Sequence, residues 1–248
     1  MAKKSRTPDP PRRVQAPKQR HAARQGLTEQ QRRFILYGVA AAGIAALAVV
    51  LVVITGGGGK SNASAGDANA IASTLKAGGC TLSTTPASPS NQHISSLGTL
   101  VTYSTYPPVS GRHYYQPAIW GNYTQEVDPR VAVHNEEHGA IDIWVGPNVS
   151  ATERKQISDF YDESPDAMLV TPIADTAKGV KYPKHAPPGS KIYLTAWTVE
   201  IKGGNVVSGK NVIATCTRFD ETAFKAFRDE FRGKGPERYP ISQLTPGT

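Results

Sequence analysis

The sequence predicts an α+β domain: a mixed or mainly antiparallel sheet packed by a few helices, preceded by one transmembrane helix. Three observations carry that expectation. An apolar run without a charge, residues 34–55, precedes the rest of the chain. Polar N-cap residues mark several short helices beyond it. Runs of alternating or β-branched apolar residues lie between those helices, and the two kinds of element interleave irregularly instead of in repeating βαβ units.

Taken in order, Asp67 is placed to cap a helix over 68–76, which Gly78 and Gly79 would stop. Residues 99–103 read as a short strand. Asp128-Pro129 has the form of a helix start, with an acidic cap and proline at the first helical position, and Gly139 would end that helix. Residues 140–145 alternate, with Ile141, Ile143 and Val145 on one face and Asp142 and Trp144 on the other. Ser150 and Glu153 form a capping box for a helix over 151–162 that buries Ile157, Phe160 and Tyr161. Residues 168–172 and 191–202 read as strands. Asp220 caps a last helix whose Phe224, Phe227 and Phe231 share a face, and Gly233 ends it.

The N-terminal third sets the topology. At about 1.5 Å per residue, a helix over 34–55 spans the roughly 30 Å hydrocarbon layer. Residues 1–33 hold ten Lys/Arg and two acids, whereas the remainder is neutral, so the net charge of +8 resides in the tail. The positive-inside rule places that tail in the cytoplasm and the bulk of the chain outside. A cleaved signal peptide would have a shorter basic lead and apolar region. Ala63-Ser64-Ala65 does offer a cleavage-like site, but a retained signal anchor fits the lengths better. The organisation read from the chain is therefore a disordered basic tail (1–33), a membrane span (34–55), a flexible Gly/Ser linker (56–69) and an extracytoplasmic domain (70–248). The tail's charge fits a topology signal and contact with anionic lipid better than nucleic-acid binding. Protein partners are unspecified.

Cys80 and Cys216 fall outside the predicted span, where an even pair most often becomes a disulfide. Four of the six histidines lie between His93 and His138. On a helix over 129–138, His134 and His138 stack one turn apart, a spacing that suits two nitrogens converging on one ion. Glu137 is offset from both, as a group supporting the ligands or activating water would be. Glu136 points elsewhere and reads as solvated. His113 sits in a Pro/Gly/Tyr-rich loop whose aromatic content implies packing, and His93 precedes the first strand, near enough for the fold to bring it in. The candidate metal ligands are thus His93, His113, His134, His138 and Glu137. Without cysteine or methionine donors, they suit Zn²⁺ or Cu²⁺. His185, in a separate rigid loop, is left outside the site.

His134-Asn135-Glu136-Glu137-His138 also fits the H-x-x-E-H pattern of inverted zinc peptidases, but neither Glu200 nor Glu221 is well placed as the third ligand. Ser110-Gly111-x-His113, His134-Asn135-x-Glu137-His138-Gly139, Thr195-Ala196-Trp197 and Gly235-Pro236-Glu237 together resemble an uncharacterised family of bacterial single-pass membrane proteins with an extracytoplasmic domain. The resemblance covers about 70–237 and extends to Cys80 and His93. It implies shared importance for His113, His134, Glu137 and His138 and no particular substrate. The family usually has an apolar residue where this chain has Glu136. Three functions follow from the sequence: a membrane-anchored metal-binding domain, a metal-dependent envelope hydrolase, or a non-catalytic structural or interaction module. The pattern favours the first and leans away from an enzyme.

Overall fold

The structure is a computed structural model that describes residues 66–173 and 177–248. The predicted tail and membrane span, and most of the linker, lie outside the described residues. Among the described residues, no helix is long and apolar enough to cross a membrane.

The elements run α1 (Gly66–Ala77), β1 (Cys80–Pro86), β2 (His93–Ile94), β3 (Val101–Thr102), β4 (His113–Tyr114), β5 (Gly121–Asn122), α2 (Pro129–Glu137), β6 (Ile141–Val145), α3 (Ala151–Glu163), β7 (Met168–Pro172), β8 (Val180–Lys181), β9 (Ile192–Lys202), β10 (Asn205–Cys216) and α4 (Glu221–Phe231). A short 3₁₀ turn, Ile241–Gln243, follows. Six strands form a mixed sheet in the order β1-β10-β9-β6-β7-β5. β1, β10, β9 and β6 pair antiparallel, and β6, β7 and β5 pair parallel. The domain is α+β, as the sequence predicts.

Local chemistry sets the helix starts. Asp128 accepts from the Arg130 amide, Ser150 from the Glu153 amide and Asp220 from the Ala223 amide, each satisfying an otherwise orphaned first-turn donor. The first helix begins at Gly66, one residue ahead of the cap expected at Asp67. The strand expected over 99–103 shrinks to Val101–Thr102, a two-residue parallel pairing with β8.

The sheet is covered on both faces where β6 and the first half of β9 run, so β6 and residues 192–197 of β9 are buried. On one face, Ile143, Met168, Leu194 and Ala214 pack under α1, α3 and α4 through Leu75, Phe160 and Phe224. On the other, Trp144, Leu169, Tyr193 and Trp197 pack against α2 and the long segment between β1 and α2. That second face carries the candidate site. Asp142 and Trp144 point toward it and are both buried, so the alternation in β6 separates two interiors and not an inside from an outside.

Cys80 and Cys216 are directly opposed across β1 and β10 and form a disulfide. The bridge closes a loop with a sequence separation of 136 residues. A bridge of this kind is the chemistry of an oxidising compartment and supports an extracytoplasmic domain.

Candidate metal centre

Two non-local devices bring the histidines together. In the first, β2 and β4 pair in parallel with His93 opposite His113, locked by the His113 amide on the Gln92 carbonyl and the Tyr115 amide on that of Ile94. In the second, α2 is pinned against the same loop by Asn135. Its side chain accepts from the Ala118 amide (2.8 Å) and donates to the Ala118 carbonyl (2.9 Å). His134 and Glu137, on the same helix, then face the ladder.

The ligand atoms of His93, His113, His134 and Glu137 lie within 4.8 Å of one another. His113, His134 and Glu137 are buried, and the His93 side chain is 45% exposed at the rim. Glu137 Oε2 stands 3.0 Å from His113 Nε2 and 3.2 Å from His93 Nε2, while Oε1 accepts from Asn91 at 3.3 Å. The rings of His93 and His134 stack with centroids 4.8 Å apart.

The tautomers follow from the partners. His113 Nδ1 lies 2.7 Å from the Gly111 carbonyl, and His134 Nδ1 lies 2.7 Å from the Tyr114 carbonyl. A carbonyl only accepts, so both Nδ1 atoms carry a proton, and in the neutral form of either ring the lone pair is left on Nε2. This is the arrangement that orients metal-binding imidazoles, with the far nitrogen fixed by a backbone acceptor. It also makes the centre demand positive charge. A lone pair on His113 Nε2 facing a carboxylate oxygen at 3.0 Å is repulsive unless a proton or a cation lies between them.

The electrostatics agree. Burial alone would raise the Glu137 carboxyl, but His113 and then His93, which donate to it when they carry a proton on Nε2, overcome that and hold the group at about 2 in the metal-free domain. Burial pushes the His134 imidazole below its ordinary value against the opposing pull of the Tyr114 carbonyl, and His138 is lowered by burial and then by His134. Both rings therefore stay neutral and able to ligate at pH 7.

His138 lies beside the four-residue cluster. Its Nε2 is 3.2 Å from His134 Nε2 and 3.2 Å from Glu237 Oε2. Glu237 is the end of the Gly235-Pro236-Glu237 motif, to which the sequence alone assigned no chemistry. The other motif residues have equally specific places. Ser110 donates to Asn211 (2.6 Å) and accepts from the Ser88 amide, tying the loop to β10. Trp197 packs edge-on against the His113 ring. Gly139 takes a left-handed φ of 96°, and an added Cβ there would lie 2.9 Å from the Gly233 Cα.

Glu136 corrects the sequence reading: it is fully buried, not solvated. Thr195 donates to its Oε1 at 2.6 Å, and Trp144 donates to the same threonine. Its other oxygen faces Asp142, also fully buried, whose two oxygens have no donor. Burial, and then for Glu136 the neighbouring Asp142 charge, push both carboxyls well above their usual range. Both carboxyls are thereby biased toward the protonated form, and the pair lies outside the ligand cluster. Glu200 and Glu221 hold surface lysines, Lys202 and Lys225, and neither supplies the third ligand of an inverted zinc peptidase. His185 stacks on Tyr106, away from the cluster.

The family described as "Protein of unknown function (DUF3105)" matches residues 93–242, more than half of the chain. The chain belongs to this family. The DUF3105 segment begins at His93 and includes all four clustered ligands, His138 and Glu237, whereas Cys80 precedes it. No curated protein and no solved structure matches the chain. The site of this DUF3105 member must therefore be read from its own geometry, which is a His₃Glu cluster able to hold a metal ion.

Proposed function

We propose that this DUF3105 domain binds one transition-metal ion, Zn²⁺ or Cu²⁺, outside the cytoplasmic membrane, and that residues 34–55 anchor it there with the basic tail against anionic lipid. One observation carries the reading. Nε2 of buried His113, whose Nδ1 is committed to a backbone carbonyl, and Nε2 of His93 converge on one carboxylate oxygen of Glu137, and buried His134, its own Nδ1 likewise committed, brings a ligand atom within 4.8 Å of all three. A proton at this point bridges one nitrogen to the carboxylate; an ion gains several ligands at once.

Three nitrogens and one oxygen favour Zn²⁺ or Cu²⁺ over Cu⁺, which prefers sulfur. The chain's only cysteines are consumed by the disulfide. Four protein ligands fill a tetrahedral shell, whereas catalytic zinc sites keep a position open for water or substrate. That count supports acquisition, buffering or delivery of an ion over hydrolysis. His138, expected from the sequence as a ligand, stands on the flank, outside this set of four.

Elemental analysis of the purified full chain, dialysed against Zn²⁺ or Cu²⁺, tests the reading. The expected result is one ion per chain, lost in a His113→Ala/His134→Ala double variant. Binding to the native state alone also raises the melting temperature of the wild type. A wild-type chain that retains no ion and melts at the same temperature with and without metal would falsify the proposal.

A further inference from the structure

The metal reading leaves His138 and Glu237 without a task, although the fold holds both with care. Residues 233–237 are docked on the end of α2 by two main-chain bonds, the Gly233 amide on the Gly139 carbonyl (2.9 Å) and the Glu237 amide on that of Glu137 (2.9 Å). Between them Gly235 passes so close that an added Cβ would lie 2.5 Å from the Glu137 carbonyl oxygen. The docking fixes the Glu237 carboxylate 3.2 Å from His138 Nε2, and the His138 ring packs against Tyr239 with centroids 4.5 Å apart.

The ligand atoms then form a line. Glu237 is 45% exposed, the His138 side chain is 14% exposed, and His134 is buried. Successive steps from Glu237 Oε2 to His138 Nε2 and on to His134 Nε2 are each 3.2 Å. An ion about 2.1 Å from each of two nitrogens tolerates such a separation. His134 belongs to two ligand sets, the inner one with His93, His113 and Glu137 and an outer one with His138 and Glu237. An open groove of about 440 Å³ is lined by Glu237 of the outer set and by Asn91, which donates to Glu137 of the inner one.

We infer that His138 and Glu237 form an outer loading position for a divalent transition-metal ion, which passes to the inner centre by ligand exchange at His134. This rests on the metal reading above. In the exchange the ion keeps its bond to His134 Nε2. It releases His138 Nε2 and the Glu237 carboxylate, and gains His93, His113 and Glu137. His138 binds as the neutral ring with its proton on Nδ1, so neither imidazole gains or loses a proton in the exchange. No electron moves.

A ladder speeds loading and unloading equally, because both use the same steps. The test is stopped-flow loading of the metal-free full chain with Cu²⁺, followed by quenching of tryptophan fluorescence, with unloading into excess EDTA and affinity from chelator competition. In Glu237→Gln and His138→Gln, loading and unloading rates should both fall about tenfold while the dissociation constant stays within about threefold of wild type. His113→Ala should lose affinity outright. Wild-type rates in both variants overturn the inference. So does a loss of affinity in Glu237→Gln as large as that in His113→Ala, which would make Glu237 an inner ligand. A wild-type chain that takes up no Cu²⁺ or Zn²⁺ overturns the metal reading itself. Melting temperatures of the two glutamine variants within the wild-type range separate a loading defect from misfolding.

Discussion

Glu136 and Glu137 are covalent neighbours at the end of α2, and their surroundings drive their carboxyls in opposite directions. Glu137 is held low among imidazoles, whereas burial and then the Asp142 charge push Glu136 toward its protonated form. Substitution should separate their roles. Glu137→Gln keeps the size of the side chain but removes the negative ligand, and metal affinity should fall at least about tenfold to a hundredfold, on the scale of losses at supporting residues of metal sites. Glu136→Gln should bind metal as wild type does. Parallel chelator competition on the two variants measures the difference; equal affinities would remove Glu137 from the ligand set.

The same pair sets two pH windows for stability. Glu137 is lowered on folding, so its contribution is complete above the ordinary carboxylate value and is lost as the pH falls through about 2. Glu136 and Asp142 are raised, so their contribution is complete below their ordinary values of 4.5 and 3.8 and is lost as the pH rises. Melting temperatures recorded between about pH 5 and 8 should decline for the wild type and decline less for Asp142→Asn, whose amide needs no proton to remain neutral. Parallel curves would exclude the shared-proton pair.

Metal affinity should carry the signature of neutral imidazole. His134 and His138 are both lowered from 6.5, so proton competition begins only below that value. Isothermal titrations with Zn²⁺ should give a steady affinity near neutrality and a fall below about pH 6. An affinity unchanged down to about pH 5 would rule out histidine ligation.

Asn135 is the pin between α2 and the loop, and the Ala118 amide and carbonyl it satisfies are otherwise without a mate. Asn135→Ala should cost about 1–3 kcal/mol by stranding them. Because the pin also aligns His134 with the ladder, affinity should weaken as well. Denaturant midpoints and competition titrations on one preparation read both effects, and a stable variant with normal affinity would show that the loop holds its own position.

The Cys80–Cys216 bridge closes a long loop across the edge of the sheet. Chain entropy places its contribution at up to about 5 kcal/mol. Cys80→Ser/Cys216→Ser should therefore unfold at markedly lower denaturant in oxidising buffer, and reductant should bring the wild type to the same midpoint. Coincident midpoints without reductant would refute a stabilising bridge.

Much of this molecule could be read from local chemistry. Asp128, Ser150 and Asp220 each cap the helix expected of them, and β6 alternates as its pattern demands. These features are encoded within a few residues. β1 escaped notice because it is a Ser/Thr-rich strand at the sheet edge, with little apolar surface to mark it. β10 escaped because Ser208, Gly209 and Lys210 interrupt its apolar pattern, although Gly203-Gly204 between two β-branched runs was an available hairpin signal. Two-residue ladders such as β2–β4 have no periodicity to detect, and it is such a ladder that sets His93 beside His113.

The candidate site was legible in composition and not in geometry. The spacing of His134 and His138 pointed to a shared ion, yet the cluster takes His134 with Glu137 and leaves His138 on the flank. Glu137 is drawn in because Asn91, His93 and His113 all reach it from another segment, which no helical wheel can anticipate. Glu136 read as a surface acid because its partners, Asp142 and Thr195, come from β6 and β9.

The docking of residues 233–237 on the tip of α2 joins backbone and carboxylate in one short stretch. Lifting that stretch by a few ångströms would withdraw Glu237 from His138 and bare the helix end in a single movement. Whatever peels this flap away would also cut the proposed ion route at its mouth, so traffic through the site would answer to a surface far from the imidazoles in sequence.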